Sequence, residues 1–104
     1  MASINSMVSQ AKRRHFQSTG LLLKRKRLEQ GLTQADVSSS LGYSTAQFIS
    51  NWERGISFPP LSALPVLCRL YGIPRDTMID LVLKTLAAAQ AEYIHDLKKV
   101  LKSR

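Results

Sequence analysis

The sequence predicts an all-α chain of five helices, and three observations carry that expectation. Large apolar residues recur at steps of three and four rather than in strict alternation. Glycine follows four such segments, at Gly31, Gly42, Gly55 and Gly72, where helices commonly stop. No run pairs β-branched residues with polar ones at every second position, and no internal repeat is visible. A chain of 104 residues forms one core with an extension, not two ordinary domains. The expected division is a flexible basic arm over 1–17, a folded domain over 18–80, and a helical extension over 81–104.

Residues 1 to about 17 are rich in Ser, Asn and Gln and read as an arm carrying Lys12, Arg13 and Arg14. Thr19 is the expected N-cap of a first helix over 20–30, with Leu21, Leu22 or Leu23, and Leu28 on one face, ending at Gly31. Thr33-Gln34-Ala35-Asp36 has the layout of a capping box, with Asp in place of the usual Glu or Gln. The second helix runs through Val37 and Leu41 to Gly42. Ser44-Thr45-Ala46-Gln47 reads as a second start of that kind, for a helix that turns Phe48, Ile49 and Trp52 inward and stops at Gly55. Two short helices joined by a glycine-containing turn make a helix-turn-helix.

Phe58-Pro59-Pro60 must be extended, since each proline excludes its predecessor from the helical region. A fourth helix is expected from about Ser62 to Tyr71, with Pro65 in its first turn, where no amide partner is lost. Pro74 opens a fifth that continues to the C-terminus. There Leu83, Leu86, Tyr93, Leu97 and Val100 form a seam suited to pairing with another helix.

Composition narrows the function. The chain carries 15 Lys and Arg against 7 Asp and Glu, a net charge of +8, and no acidic residue precedes Glu29. Such a chain suits an anionic partner, and the first eighteen residues lack the apolar stripe a membrane surface would need. Charge alone suits nucleic acid or an ordinary solubilising surface, with no membrane, and the helix-turn-helix makes double-stranded DNA the expected partner. The single cysteine, Cys68, lies in an apolar run and reads as a buried thiol in a reducing compartment. With no basic-then-apolar leader, the expected location is the cytoplasm, on the nucleoid in a bacterial or phage setting. His15 and His95 stand far apart, and there is no metal-ligand spacing, glycine-rich phosphate loop or nucleophile motif. Neither an enzyme, a metal nor a cofactor is expected, and the length leaves no room for a small-molecule effector domain.

The segments Arg27 to Val37, Leu41-Gly42, Ile49 to Gly55, Pro59-Pro60 and Leu70 to Pro74, in that order, resemble the Cro and lambda-repressor type of helix-turn-helix, also called the XRE family. The resemblance spans roughly 19–80 and implies a lambda-repressor-like domain in a transcriptional regulator. Its second motif helix, about 45–54, would enter the major groove of a palindromic or pseudo-palindromic operator. The matching positions imply that Ala46, Gln47, Ser50 and Asn51 contact bases. Gln34, Thr33, Tyr43, Thr45 and Arg54 would contact phosphate, as would Lys24 and Arg25 on the first helix. Arg27 and Glu53 match a structural ion pair. Duller roles stay open beside these: Gln47 as a cap for Ser44, Asn51 on phosphate alone, and Tyr43 or Trp52 as core cover. No Lys or Arg falls in the reading segment, which points to A·T pairs at the contacted positions.

The motif departs from the family at Trp52, a position where the family usually has an aliphatic residue, and in length. From Gly42 to Gly55 there is one residue more than the commonest family spacing, and the register of 49–55 puts it in the turn at Tyr43 to Thr45. The resemblance implies a homodimer through the C-terminal seam. The alternative is an antitoxin-like interaction module whose last helix binds a different protein.

Overall fold

The computed structural model describes residues 4–103, with side chains from residue 14 onward. Five α-helices follow one another: α1 (Ile4–Glu29), α2 (Gln34–Ser40), α3 (Gln47–Glu53), α4 (Leu64–Tyr71) and α5 (Arg75–Lys102). A single 3₁₀ turn, Leu61–Ala63, leads into α4. Each of the first four helices is followed within two residues by a glycine with φ between 66° and 75°. Among the described residues no helix is long and apolar enough to cross a membrane.

The core explains the order. Leu23 of α1, Val37 of α2, Ile49 and Trp52 of α3, Leu67 and Tyr71 of α4, Ile73 and Met78 form one buried cluster. Each short helix contributes one stripe to it, and burial of those stripes, rather than helix propensity, is what stabilises seven-residue helices. Pro65 stands in the first turn of α4, as its missing N–H requires. Pro74 is the residue before α5 rather than within its first turn.

The first helix differs from the sequence expectation. It begins at Ile4 rather than near Thr19, so residues 4–17 are helical instead of an arm; residues 1–3 lie outside the described part. Thr19 is not an N-cap. It is buried in mid-helix, with its Oγ1 3.3 Å from His15 O, accepted there as an i−4 hydrogen bond, and 2.6 Å from Thr85 Oγ1 of α5. His15 Nε2 lies 2.6 Å from Glu92 Oε2, and Arg14 pairs with the same carboxylate. Residue 15 meets 92 while 19 meets 85, so α1 and α5 run antiparallel. Phe16 packs on Phe58 with ring centroids 5.0 Å apart. Tertiary partners far along the chain thus order a segment whose own composition is polar. Of the basic cluster, the side chains of Lys12 and Arg13 lie outside the described part.

Two faces are also corrected. Leu21 and Leu28 point outward, and the buried side of α1 is Thr19, Leu23 and Arg27, at steps of four. Phe48 is 54% exposed and leans on Tyr43 (5.1 Å between centroids) rather than entering the core. On α5, Leu83 and Leu86 are exposed, whereas Tyr93, Leu97 and Val100 are half-buried. No helix break separates 80 from 81.

Candidate nucleic-acid interface

The site is built on α2, the turn after it, and α3. Thr33 begins α2 with a complete capping box: its Oγ1 accepts from Asp36 N at 3.0 Å, and its own N–H donates to Asp36 Oδ2 at 2.9 Å. The Thr33 backbone N–H first, and the Thr33 hydroxyl second, hold the Asp36 carboxyl below the ordinary carboxylate range. Buried Ser38 fixes the turn, its Oγ donating to Thr45 O and its carbonyl accepting from Tyr43 N at 3.0 Å.

The start of α3 has no such box. Ala46 is the N-cap residue and makes no side-chain cap bond. Ser44 does not cap the helix; Thr45 Oγ1 instead accepts from Gln47 N at 3.2 Å, because the helix begins two residues later than the Ser44 start would give. The helix is regular from Gln47 to Glu53.

From behind, α3 is held at its other end. Arg27 and Glu53, 6% and 5% exposed, form a two-pronged pair, Nε to Oε2 at 2.7 Å and Nη2 to Oε1 at 3.0 Å. Arg27 Nη1 also donates to Leu32 O at 2.8 Å, and Gln34 Nε2 donates to Glu53 Oε1 at 3.0 Å. The bond from Glu53 raises the Arg27 pKa, with burial working against it. Beneath them burial pushes the Tyr71 phenol up, the Glu53 charge adding to this and Arg27 opposing it. Gly20 completes the clamp. A Cβ there would stand 2.4 Å from Trp52 O and 2.6 Å from Glu53 O, so α1 meets the end of α3 backbone to backbone. Gly55, at φ 75°, is covered in the same way by Gln17, whose N would lie 2.6 Å from an added Cβ.

The opposite face of α3 is left to solvent. Gln47 and Arg54 are exposed, Ser50 and Asn51 half-buried, and Gln47 Nε2 donates to Asn51 Oδ1 at 2.9 Å. That i,i+4 bond aligns two amides while leaving the Gln47 oxygen and the Asn51 amino group free. A groove of about 450 Å³ between α1 and α3 brings Lys24, Gln34, Ser50 and Arg54 to one rim. Arg25 is not among them: it faces Glu29 at 3.9 Å and lines a separate groove between α1 and α5 with His15 and Lys84. Thr33 is exposed but its hydroxyl is engaged in the cap. Tyr43 is half-buried, 6.1 Å from Trp52 in an edge-to-face contact, and covers the core. Phe48 is the side chain the sequence misplaced. It sits at the border of the apolar and polar faces of α3, where a position adjacent to the inward Ile49 gives no signal of exposure.

Among the described residues no group of three or more His, Cys, Asp or Glu is placed to hold a metal ion. A family model described as a helix-turn-helix domain matches residues 19–81. No curated protein and no solved structure matches the chain.

Proposed function

Since the chain belongs to the helix-turn-helix domain family of the Cro and XRE type, we propose that it is a sequence-specific DNA-binding transcriptional regulator that lays α3 in the major groove. The observation that carries this is the division of labour on α3: every buried or ion-paired group lies behind it, and its front is uncharged and hydrogen-bonding with cations at the rim. Gln47 and Asn51 offer the donor and acceptor that adenine presents in reverse at N7 and N6, and Ser50 suits either base. Ala46 and the exposed ring of Phe48 can pack on thymine methyls. Lys24 and Arg54 lie where phosphates would flank the helix, and the Gln34 backbone N–H at the start of α2 adds a neutral donor. Phosphate contacts would position the domain and α3 would specify the sequence.

The regulator reading takes the chain as a homodimer on a two-fold related operator, with half-sites one turn of DNA apart. The exposed Leu83 and Leu86 support self-association over the half-buried Tyr93 and Val100. Selection of bound fragments from random DNA tests both parts. Enrichment of an A·T-containing inverted repeat is expected; recovery of fragments without a shared sequence rejects sequence-specific binding.

A further inference from the structure

One face of α5 carries a row of apolar side chains that nothing in the described structure covers. Ile79, Leu83, Leu86, Ile94 and Leu101 are between 40% and 74% exposed. Leu97 is half-buried on the same row, and the exposed Gln90 interrupts it. Isolated exposed leucines need no explanation, but a row from Ile79 to Leu101 along a 28-residue helix does. Leu83, Leu86 and Gln90 recur eleven residues later as Ile94, Leu97 and Leu101. A period of eleven stays close to that of a straight α-helix, so the row keeps to one side throughout.

The spacing identifies the occupant. Along the row the steps are four, three, four, four, three and four, which reads the same from either end with Gln90 at the centre. Charge along its flank runs the other way: exposed Asp76 and Asp80 lie at the N-terminal end, exposed Lys98 and Lys102 at the C-terminal end. We infer that α5 pairs antiparallel with α5 of a second copy of this chain, the two-fold axis passing beside Gln90. This deepens the dimer reading above and rests on it.

Antiparallel pairing sets Ile79 against the second copy's Leu101, Leu83 against its Leu97 and Leu86 against its Ile94. The two Gln90 amides meet at the axis, where each can donate to the other's oxygen, a polar contact of the kind that fixes register. Asp80 falls beside the second copy's Lys98 and Lys102, and Asp76 beside its Lys102. A parallel pair would put each of these charges next to its own kind, which opposes that arrangement. An apolar groove of about 310 Å³ between α4 and α5 opens beside Leu61, Ile79 and Leu83, and the second copy's Leu101 lies over it. Met78 anchors α5 in the domain core. At 1.5 Å per residue, the two Met78 residues stand about 36 Å apart along the paired helices, commensurate with one turn of DNA.

Leu86→Cys and Ile94→Cys chains, prepared separately and then mixed in a glutathione redox buffer without DNA, test the pairing. Both sites are exposed, and wild type controls for Cys68. A disulfide-linked dimer containing one chain of each kind, with little linkage in either chain alone, is expected. Linkage of Leu86→Cys to itself shows a parallel pair and overturns the inference. So does the absence of linkage together with a monomeric mass in sedimentation equilibrium. A linked dimer that enriches no DNA sequence leaves the pairing standing and rejects the regulator reading, while a monomer that enriches a half-site does the reverse. Leu83→Glu/Leu86→Glu is expected to be monomeric and to lose on the order of 100-fold affinity for a fragment with two half-sites.

Discussion

The two helices of the motif are each seven residues long, yet they are secured in opposite ways. α2 closes its own N-terminus: Thr33 and Asp36 satisfy each other's orphan groups, and neither needs the rest of the protein. α3 has almost nothing at its N-terminus and is fixed from its far end, by Arg27 on Glu53 and by Gly20 against its last carbonyls. The difference teaches why one helix is scaffold and the other is free to meet a partner. A helix capped by its own side chains has its polar groups engaged. A helix held at the back and at the far end presents its first turns to a partner.

The comparison breaks most completely at the buried pair. Glu53→Ala leaves the Arg27 guanidinium without its carboxylate in a site closed to water, and should cost about 3–5 kcal/mol in urea unfolding. Arg27→Met/Glu53→Leu, which removes both charges, should recover most of that loss. Gly20→Ala comes next. Its methyl meets two backbone oxygens that cannot rotate aside, so a loss of about 1–3 kcal/mol is expected, with weaker DNA binding because α3 itself must move. Thr33→Ala should cost ~1 kcal/mol as a lost cap, whereas Thr45→Ala, which removes one exposed bond, should stay below ~0.5 kcal/mol. Equal losses in those two thermal melts would erase the contrast between the helices.

Acid sharpens it further. Asp36 has a lowered pKa in the folded chain, so its contribution is complete above the ordinary carboxylate range and is lost as pH falls through the folded-state value. Asp36→Asn should flatten that part of the stability–pH profile, and an unchanged profile would remove the box from the account. Gln47→Ala has the smallest expected effect on stability, within ~0.5 kcal/mol, because its side chain bonds only Asn51. Its signature is a loss of discrimination of about 1–3 kcal/mol at particular base pairs. Uniform weakening on all sequences would move Gln47 from reading to framework.

What could be read from the sequence divides along the same line. The α2 box and the glycine stops are local, each specified within a few neighbouring residues, and they are legible. The Arg27–Glu53 pair spans 26 residues and was visible only through resemblance. The first half of α1 was read as an arm because its composition is polar. Its ordering contacts, Phe16 on Phe58 and His15 on Glu92, join residues 42 and 77 positions apart, which no local pattern reveals. Phe48 and Leu28 were misplaced because a helix period read from a short segment tolerates an error of tens of degrees. On α5 the step pattern is legible, but only burial separates the exposed Leu83 and Leu86 from the half-buried Tyr93 and Val100.

The contact at Gly20 has a consequence for how this protein can change. Because α1 touches α3 through backbone atoms, the seat of α3 is set there by peptide geometry and not by the fit of a side chain. Gln47, Ser50 and Asn51 take no part in that seat. They can be exchanged, one or all, while the helix stays where it is. Under the proposed function, a chain of this design would acquire a new target through a few surface substitutions, without a compensating change in its core.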